Sequence, residues 1–108
     1  MTLDEYGTWT EKMWFVNGSL DFGEKDLTVC SLGLAGETGE VMEILKKRVR
    51  DDFFDKPHLI KELGDVIYYW ARLCKAFDVL PSEVLAQNVL KVEDRKARDV
   101  MSGSGDDR

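Results

Sequence analysis

Residues 26–50 and 55–78 place apolar side chains at the three- and four-residue spacings of an α-helix, and each stretch sets a pair of acids on or beside its apolar face. The pairs are Glu37 with Glu40 and Glu62 with Asp65. Three residues turn a helix by about 300°, so both acids of a couplet share one side, and two such helices side by side gather four carboxylates. On a helical wheel Cys30, Leu34, Val41, Ile44 and Leu45 fall within roughly 80° of Glu37, with Gly33 and Glu40 about 40 to 60° to the other side. In the later stretch Leu59, Val66, Trp70, Leu73 and Phe77 form one stripe, and Glu62 and Asp65 run along its edge. Ordinary amphipathic helices put their acids on the opposite face.

A carboxylate turned toward a core loses hydration, and two of them about 5 Å apart repel by roughly 3 kcal/mol at an effective dielectric of 20. Bound divalent cations would offset that cost. All-oxygen ligation selects hard ions, magnesium first with manganese as a substitute, and magnesium completes its octahedron with waters and phosphate oxygens. Four acids therefore point to more than one ion and to a polyphosphate ligand. The competing reading is a solvated acidic face, or acids paired with Lys61 and Arg72. Two couplets bordering apolar stripes weigh against it.

With 108 residues and 44% apolar content the chain is long and apolar enough for one folded domain with a modest core. Its formal charge of −6 and the lack of any Lys/Arg-rich block argue against nucleic acid or an anionic membrane as the main partner. A negative protein that handles a polyphosphate needs a metal between the two. Cys30 and Cys74 stand alone on apolar helical faces without metal spacing, which predicts buried free thiols and a cytoplasmic, reducing location. Neither an export signal nor a membrane-length apolar run is visible.

Four helices are predicted. Thr2 and Glu5 form a possible capping box for the first, which the pattern Leu3, Tyr6, Trp9 or Thr10, Met13 carries toward a stop near Asn17 and Gly18. A loop rich in Gly and Asp follows. The second helix begins near Asp26 and ends at about Arg50, where Lys46, Lys47, Arg48 and Arg50 suit its negative end. Asp55 and Pro57 open the third, to about Asp78, and Pro81 with Glu83 opens the fourth, to about Val100. Gly33, Gly36 and Gly39 each cost the second helix about 1 kcal/mol against Ala, so close approach of another helix or of a ligand is expected there. No strand-like alternation of useful length occurs, and the fold class is all-α, bundle-like. Residues 1–101 form the domain, and 102–108, Ser/Gly/Asp up to the final Arg, form a tail expected to be disordered.

The run Leu32-Gly-Leu-Ala-Gly-Glu37-Thr-Gly-Glu40-Val, followed after a spacer by Lys61-Glu-Leu-Gly-Asp65-Val, resembles the MazG-like family of all-α nucleoside triphosphate pyrophosphohydrolases, whose hallmark is an E-x-x-E couplet, a spacer and an E-x-x-D couplet. Asn88, Lys91 and Arg95 look like the family's asparagine, lysine and arginine pattern on the last helix. One departure is visible: many members carry two consecutive acids where this chain has Gly36 before Glu37.

The resemblance implies that Glu37, Glu40, Glu62 and Asp65 ligate magnesium and that the reaction converts a (deoxy)nucleoside triphosphate to monophosphate and pyrophosphate. Asn88, Lys91 and Arg95 share a helix face, and its cations would hold the outgoing pyrophosphate. A metal-acidified water attacks in line, with Glu40 the first choice for the base that takes its proton and Glu37 not separable from it. Trp9, Trp14 and Phe15, with Tyr69 and Trp70, are available to stack on a base. His58, one turn before Glu62, is read as a capping or packing residue, because hard-ion sites favour oxygen. Broad apolar faces on a short chain, together with the resemblance, imply a homodimer or homotetramer with sites near the subunit interface.

Two other classes were weighed on the same residues. A di-iron carboxylate bundle needs Glu-x-x-His pairs that the single His does not supply. A non-catalytic helical interaction module would bind a basic partner through the same acids and release no pyrophosphate.

Overall fold

The computed structural model describes residues 1–14 and 23–108, which form four helices and no strand: α1 (Leu3–Met13), α2 (Glu24–Arg50), α3 (Lys56–Ala76) and α4 (Pro81–Ala97). The all-α prediction holds. Thr2 caps α1 with a reciprocal box: its hydroxyl accepts from Glu5 N at 3.1 Å, and its own N–H donates to Glu5 Oε2 at 3.0 Å. At the other end Trp14 has extended backbone, so α1 stops at Met13; the Asn17–Gly18 stop, the Gly/Asp loop and Phe15 lie outside the described residues.

Asp26 sits inside the first turn of α2 rather than at its cap. Its carboxylate accepts from Gly23 N at 2.9 Å and from the Trp14 indole N–H at 2.9 Å, which ties the end of α1 to the start of α2. Asp55 caps α3 by accepting from His58 N at 3.0 Å, with Pro57 in the first turn. Helices α3 and α4 end two or three residues before the positions expected from sequence. Asp78 and Asp99 take left-handed backbone (φ 53° and 56°), and the N–H groups of Val79 and Val100 reach back to Cys74 O and Arg95 O. A short acid tolerates that conformation, and the turn satisfies carbonyls that would otherwise end unpaired.

α2 and α3 run antiparallel as a helical hairpin. Cys30 Sγ donates to Tyr69 O at 3.3 Å, Glu37 meets Glu62, and Ile44 and Lys47 share a pocket with Asp55 and His58. Gly33 sets the approach of the two helices, since a Cβ there would lie 2.5 Å from Tyr69 Cε1. Gly36 and Gly39 have nothing within 4 Å of such a Cβ, so within this protomer another helix comes close at Gly33 and not at the other two.

α1 packs across α3 and α4. Asp4 accepts from Ser82 N at 2.8 Å and from Ser82 Oγ at 2.5 Å, capping α4 from a different helix, and Gly7 leaves room for the Pro81 ring. The buried core is small: Cys30, Val41 and Ile44 from α2, Ala71 and Cys74 from α3, with Thr10 and Pro81 beside them. Both cysteines are buried free thiols as predicted, and burial pushes the Cys30 thiol up to about 11. Ile60, Leu63 and Ile67, at i, i+3 and i+7, leave one face of α3 exposed. Leu85, Val89 and Leu90 do the same on α4, and Phe77, assigned to the α3 stripe, is exposed at its end. Among the described residues no helix is long and apolar enough to cross a membrane.

Candidate metal centre

The α2–α3 hairpin brings Glu37, Glu62 and Asp65 together, each offering a carboxylate oxygen within 4.8 Å of the others. Glu37 and Glu62 are half-buried between the helices, while Asp65 is exposed at the rim. Their mutual repulsion is visible in the Glu37 carboxyl, which is raised from 4.5 to about 7. A hydrogen bond to Glu62 contributes most, then burial, then the charges of Asp65, Glu62 and Glu40. A proton held between Glu37 and Glu62 relieves the same repulsion that a cation would relieve. The donors are all oxygen and convergent, two of them half-buried, a set that fits a hard divalent ion.

Glu40 stands apart from this cluster. The four-acid set expected from the couplets is three convergent acids plus a neighbour, since Glu40 is exposed on the next turn of α2 and felt by Glu37 only through its charge. It lines a pocket of about 110 Å³ with Glu43, Ile44, Lys47, Phe53, Asp55 and His58. The physical reason is the bend of the helix surface: Glu37 points at α3, and a residue about 60° away along the wheel points past it. Arg72, a candidate partner for the acids, lies over the Trp14 ring at 5.4 Å. The basic side chain that reaches the cluster is His58, whose Nε2 lies 2.8 Å from Glu62 Oε1. Sequence spacing put His58 on the Glu62 face without revealing that bond.

Beside the acids, α1 and α3 build an aromatic wall. Tyr6 and Trp9 lie 5.5 Å apart, Trp9 meets Tyr68 edge-on at 6.4 Å, Trp14 stacks on Tyr68 at 6.4 Å, and Tyr68 and Tyr69 are 5.4 Å apart. Burial, and secondarily the charge of Asp65, raises the Tyr6 hydroxyl, which puts α1 within electrostatic reach of the acids. Sequence marks Tyr6 only as part of the apolar pattern of α1 and does not mark Tyr68, because one Tyr at helical spacing is indistinguishable from core. Of the tryptophans proposed for stacking, Trp9 is 40% exposed. Trp14 is held by Asp26, Arg72 and Tyr68, so its ring is a brace between helices. Trp70 is half-buried on α3.

The polar face of α4 lies elsewhere. Asn88 and Lys91 line a cleft of about 450 Å³ with Val79, Val84, Gln87 and Asp106, and none of the four acids borders it. Asp106 Oδ1 sits 3.2 Å from Lys91 Nζ and 3.1 Å from Arg95 Nη2, and the nearly buried Arg95 also donates to Asp106 O at 3.0 Å. Residues 102–108 have no regular helix, and through Asp106 they lie against these two cations.

A family model for the MazG nucleotide pyrophosphohydrolase domain matches residues 26–99, the span that holds all but the first two residues of α2, all of α3 and α4, and all four acids. The chain belongs to the MazG family. A relative from Mycobacterium phage L5, "Gene 37 protein", is 40% identical over 87 residues, covering 76% of this chain and 76% of the relative. No solved structure matches the chain. MazG domains are all-α, which agrees with the four helices, and the family's metal dependence agrees with the acidic cluster at the α2–α3 hairpin.

Proposed function

We propose that this MazG domain hydrolyses (deoxy)nucleoside triphosphates to monophosphate and pyrophosphate in a magnesium-dependent reaction, serving as a house-cleaning enzyme of the nucleotide pool. The observation that carries the reading is the convergence of Glu37, Glu62 and Asp65 from two helices, with a carboxyl forced up to about 7 by its neighbours. Family membership supports the reaction class.

Glu37, Glu62 and Asp65 would hold the cation, with Glu40 next to them. When bound, magnesium supplies charge neutralisation at the phosphates and acidifies a water. Glu37 would hold the ion as the ionised carboxylate. Glu40, outside the tight cluster and one turn along α2, keeps a free carboxylate suited to accept the proton of the attacking water. Trp9, exposed at the edge of the aromatic wall, offers a face to the base.

Lys91, Arg95 and Asn88 remain the assigned pyrophosphate ligands. Because the cleft lined by Asn88 and Lys91 is not bordered by the acids of the same protomer, the assignment goes with assembly as a homodimer or homotetramer, and the exposed apolar faces of α3 and α4 support such an assembly. The reading includes a cytoplasmic location and no nucleic-acid or membrane partner.

The test is a panel of canonical and modified triphosphates with magnesium, scored for products. Monophosphate and pyrophosphate are the expected pair; orthophosphate as the primary product would reject the assignment.

A further inference from the structure

We propose that His58 is a positioning residue of the metal centre: its Nε2–H holds Glu62 in the orientation from which that carboxylate meets Glu37 and Asp65. The assignment rests on the metal-centre reading above and adds to it the group that aims one of the ligands.

Two contacts and a difference in exposure carry it. Asp55 accepts from the His58 backbone N–H at 3.0 Å, and Pro57 fixes φ in the same turn, so the α3 N-terminus fixes the backbone from which the imidazole projects. Four residues later on the same face, Glu62 Oε1 lies 2.8 Å from Nε2, a distance in the charge-assisted range. An ionised carboxylate only accepts, so the proton of that bond belongs to Nε2. Exposure runs the right way for an outer support: the His58 side chain is 46% exposed and that of Glu62 is 14%. The imidazole approaches from the solvent side and leaves the inward acceptor sites of Glu62 for Glu37 and a cation. A glutamate has three side-chain torsions to fix, and among the described residues His58 and the Glu37 carboxyl are the groups bonded to Glu62.

A surface i,i+4 pair that merely supports the helix would not alter cation affinity, whereas partners that orient metal ligands change it about 10- to 100-fold when removed. The experiment titrates the full chain with Mn²⁺, following free ion by electron paramagnetic resonance, for the wild type, His58→Ala and His58→Gln, with helix content and Tm measured alongside. The Ala variant is expected to bind about tenfold or more weakly at unchanged helix content. The Gln variant, whose amide N–H can reach the same oxygen, is expected to recover most of the affinity. Ala binding within twofold of wild type, or Gln no better than Ala, would overturn the proposal. So would a nitrogen hyperfine coupling between imidazole and bound Mn²⁺, which would make His58 a ligand. A wild-type chain that takes up no Mn²⁺ would instead sink the metal centre and this support with it.

Discussion

Gly33 and Tyr69 meet across the α2–α3 hairpin so closely that a methyl group on Gly33 would sit 2.5 Å from the Tyr69 ring. The contact lies one turn before Glu37 and one turn after Asp65, so the closeness of the helices here governs the spacing of the acids.

Gly33→Ala is therefore expected to destabilise the fold by about 1–3 kcal/mol, the usual cost of overpacking. It should also weaken cation binding, because the helices must part beside the cluster. Gly36→Ala and Gly39→Ala, with open space around them, are expected to gain up to about 1 kcal/mol of helix propensity. Chemical denaturation of the three variants distinguishes the positions, and equal effects at all three would contradict the packing argument.

The Glu37 carboxyl titrates near 4.5 when unfolded and at about 7 when folded. Between those values the folded state holds more protons, so its contribution to stability is complete below about pH 4.5 and is lost as pH rises through 7. In EDTA, Tm should fall over that window more steeply for wild type than for Glu37→Gln. Saturating Mg²⁺ should restore stability at neutral pH, and cation uptake at about pH 6 should release a proton. Calorimetry in two buffers of different ionisation enthalpy reads that proton directly.

Glu40 and Glu62 should separate chemistry from binding. Glu40→Gln is expected to lower turnover by about 100-fold or more while Mn²⁺ affinity changes little, as for a lost general base. Glu62→Gln is expected to lose the ion itself. Near-normal turnover in Glu40→Gln would remove Glu40 from the base role.

The two tryptophans of α1 should also part company. Trp9→Ala is expected to raise KM with little change in Tm, since the ring is exposed and open to a base. Trp14→Phe loses the indole bond to buried Asp26 and should cost about 1–3 kcal/mol of stability, read by thermal or urea unfolding. A Trp14→Phe protein as stable as wild type would show that the brace is not needed.

The local signals were strong where one helix suffices to make them. The Thr2–Glu5 box, the Asp55 cap, the prolines opening α3 and α4 and the helical spacing of apolar residues are properties of contiguous segments, and α1–α4 formed where they pointed. The couplets were legible for the same reason: three-residue spacing puts two acids on one side of any helix. The ends of α3 and α4 were not, because left-handed Asp78 and Asp99 carry no sequence mark that separates them from helical acids.

From the sequence alone came four helices, two acidic couplets set against apolar stripes and the MazG resemblance, since periodicity and motif spacing are written along the chain. Tertiary structure alone decided that Glu37, Glu62 and Asp65 converge while Glu40 turns aside, that His58 bonds Glu62, and that Trp14 braces rather than waits for a ligand. It also decided that Asn88 and Lys91 line a cleft apart from the acids, with nearly buried Arg95 bonded to Asp106 beside it. Those outcomes depend on how far apart two helices pack and how each is rotated about its axis. Such distances come from side chains meeting across the hairpin, Gly33 against Tyr69 first among them, and no single segment encodes them.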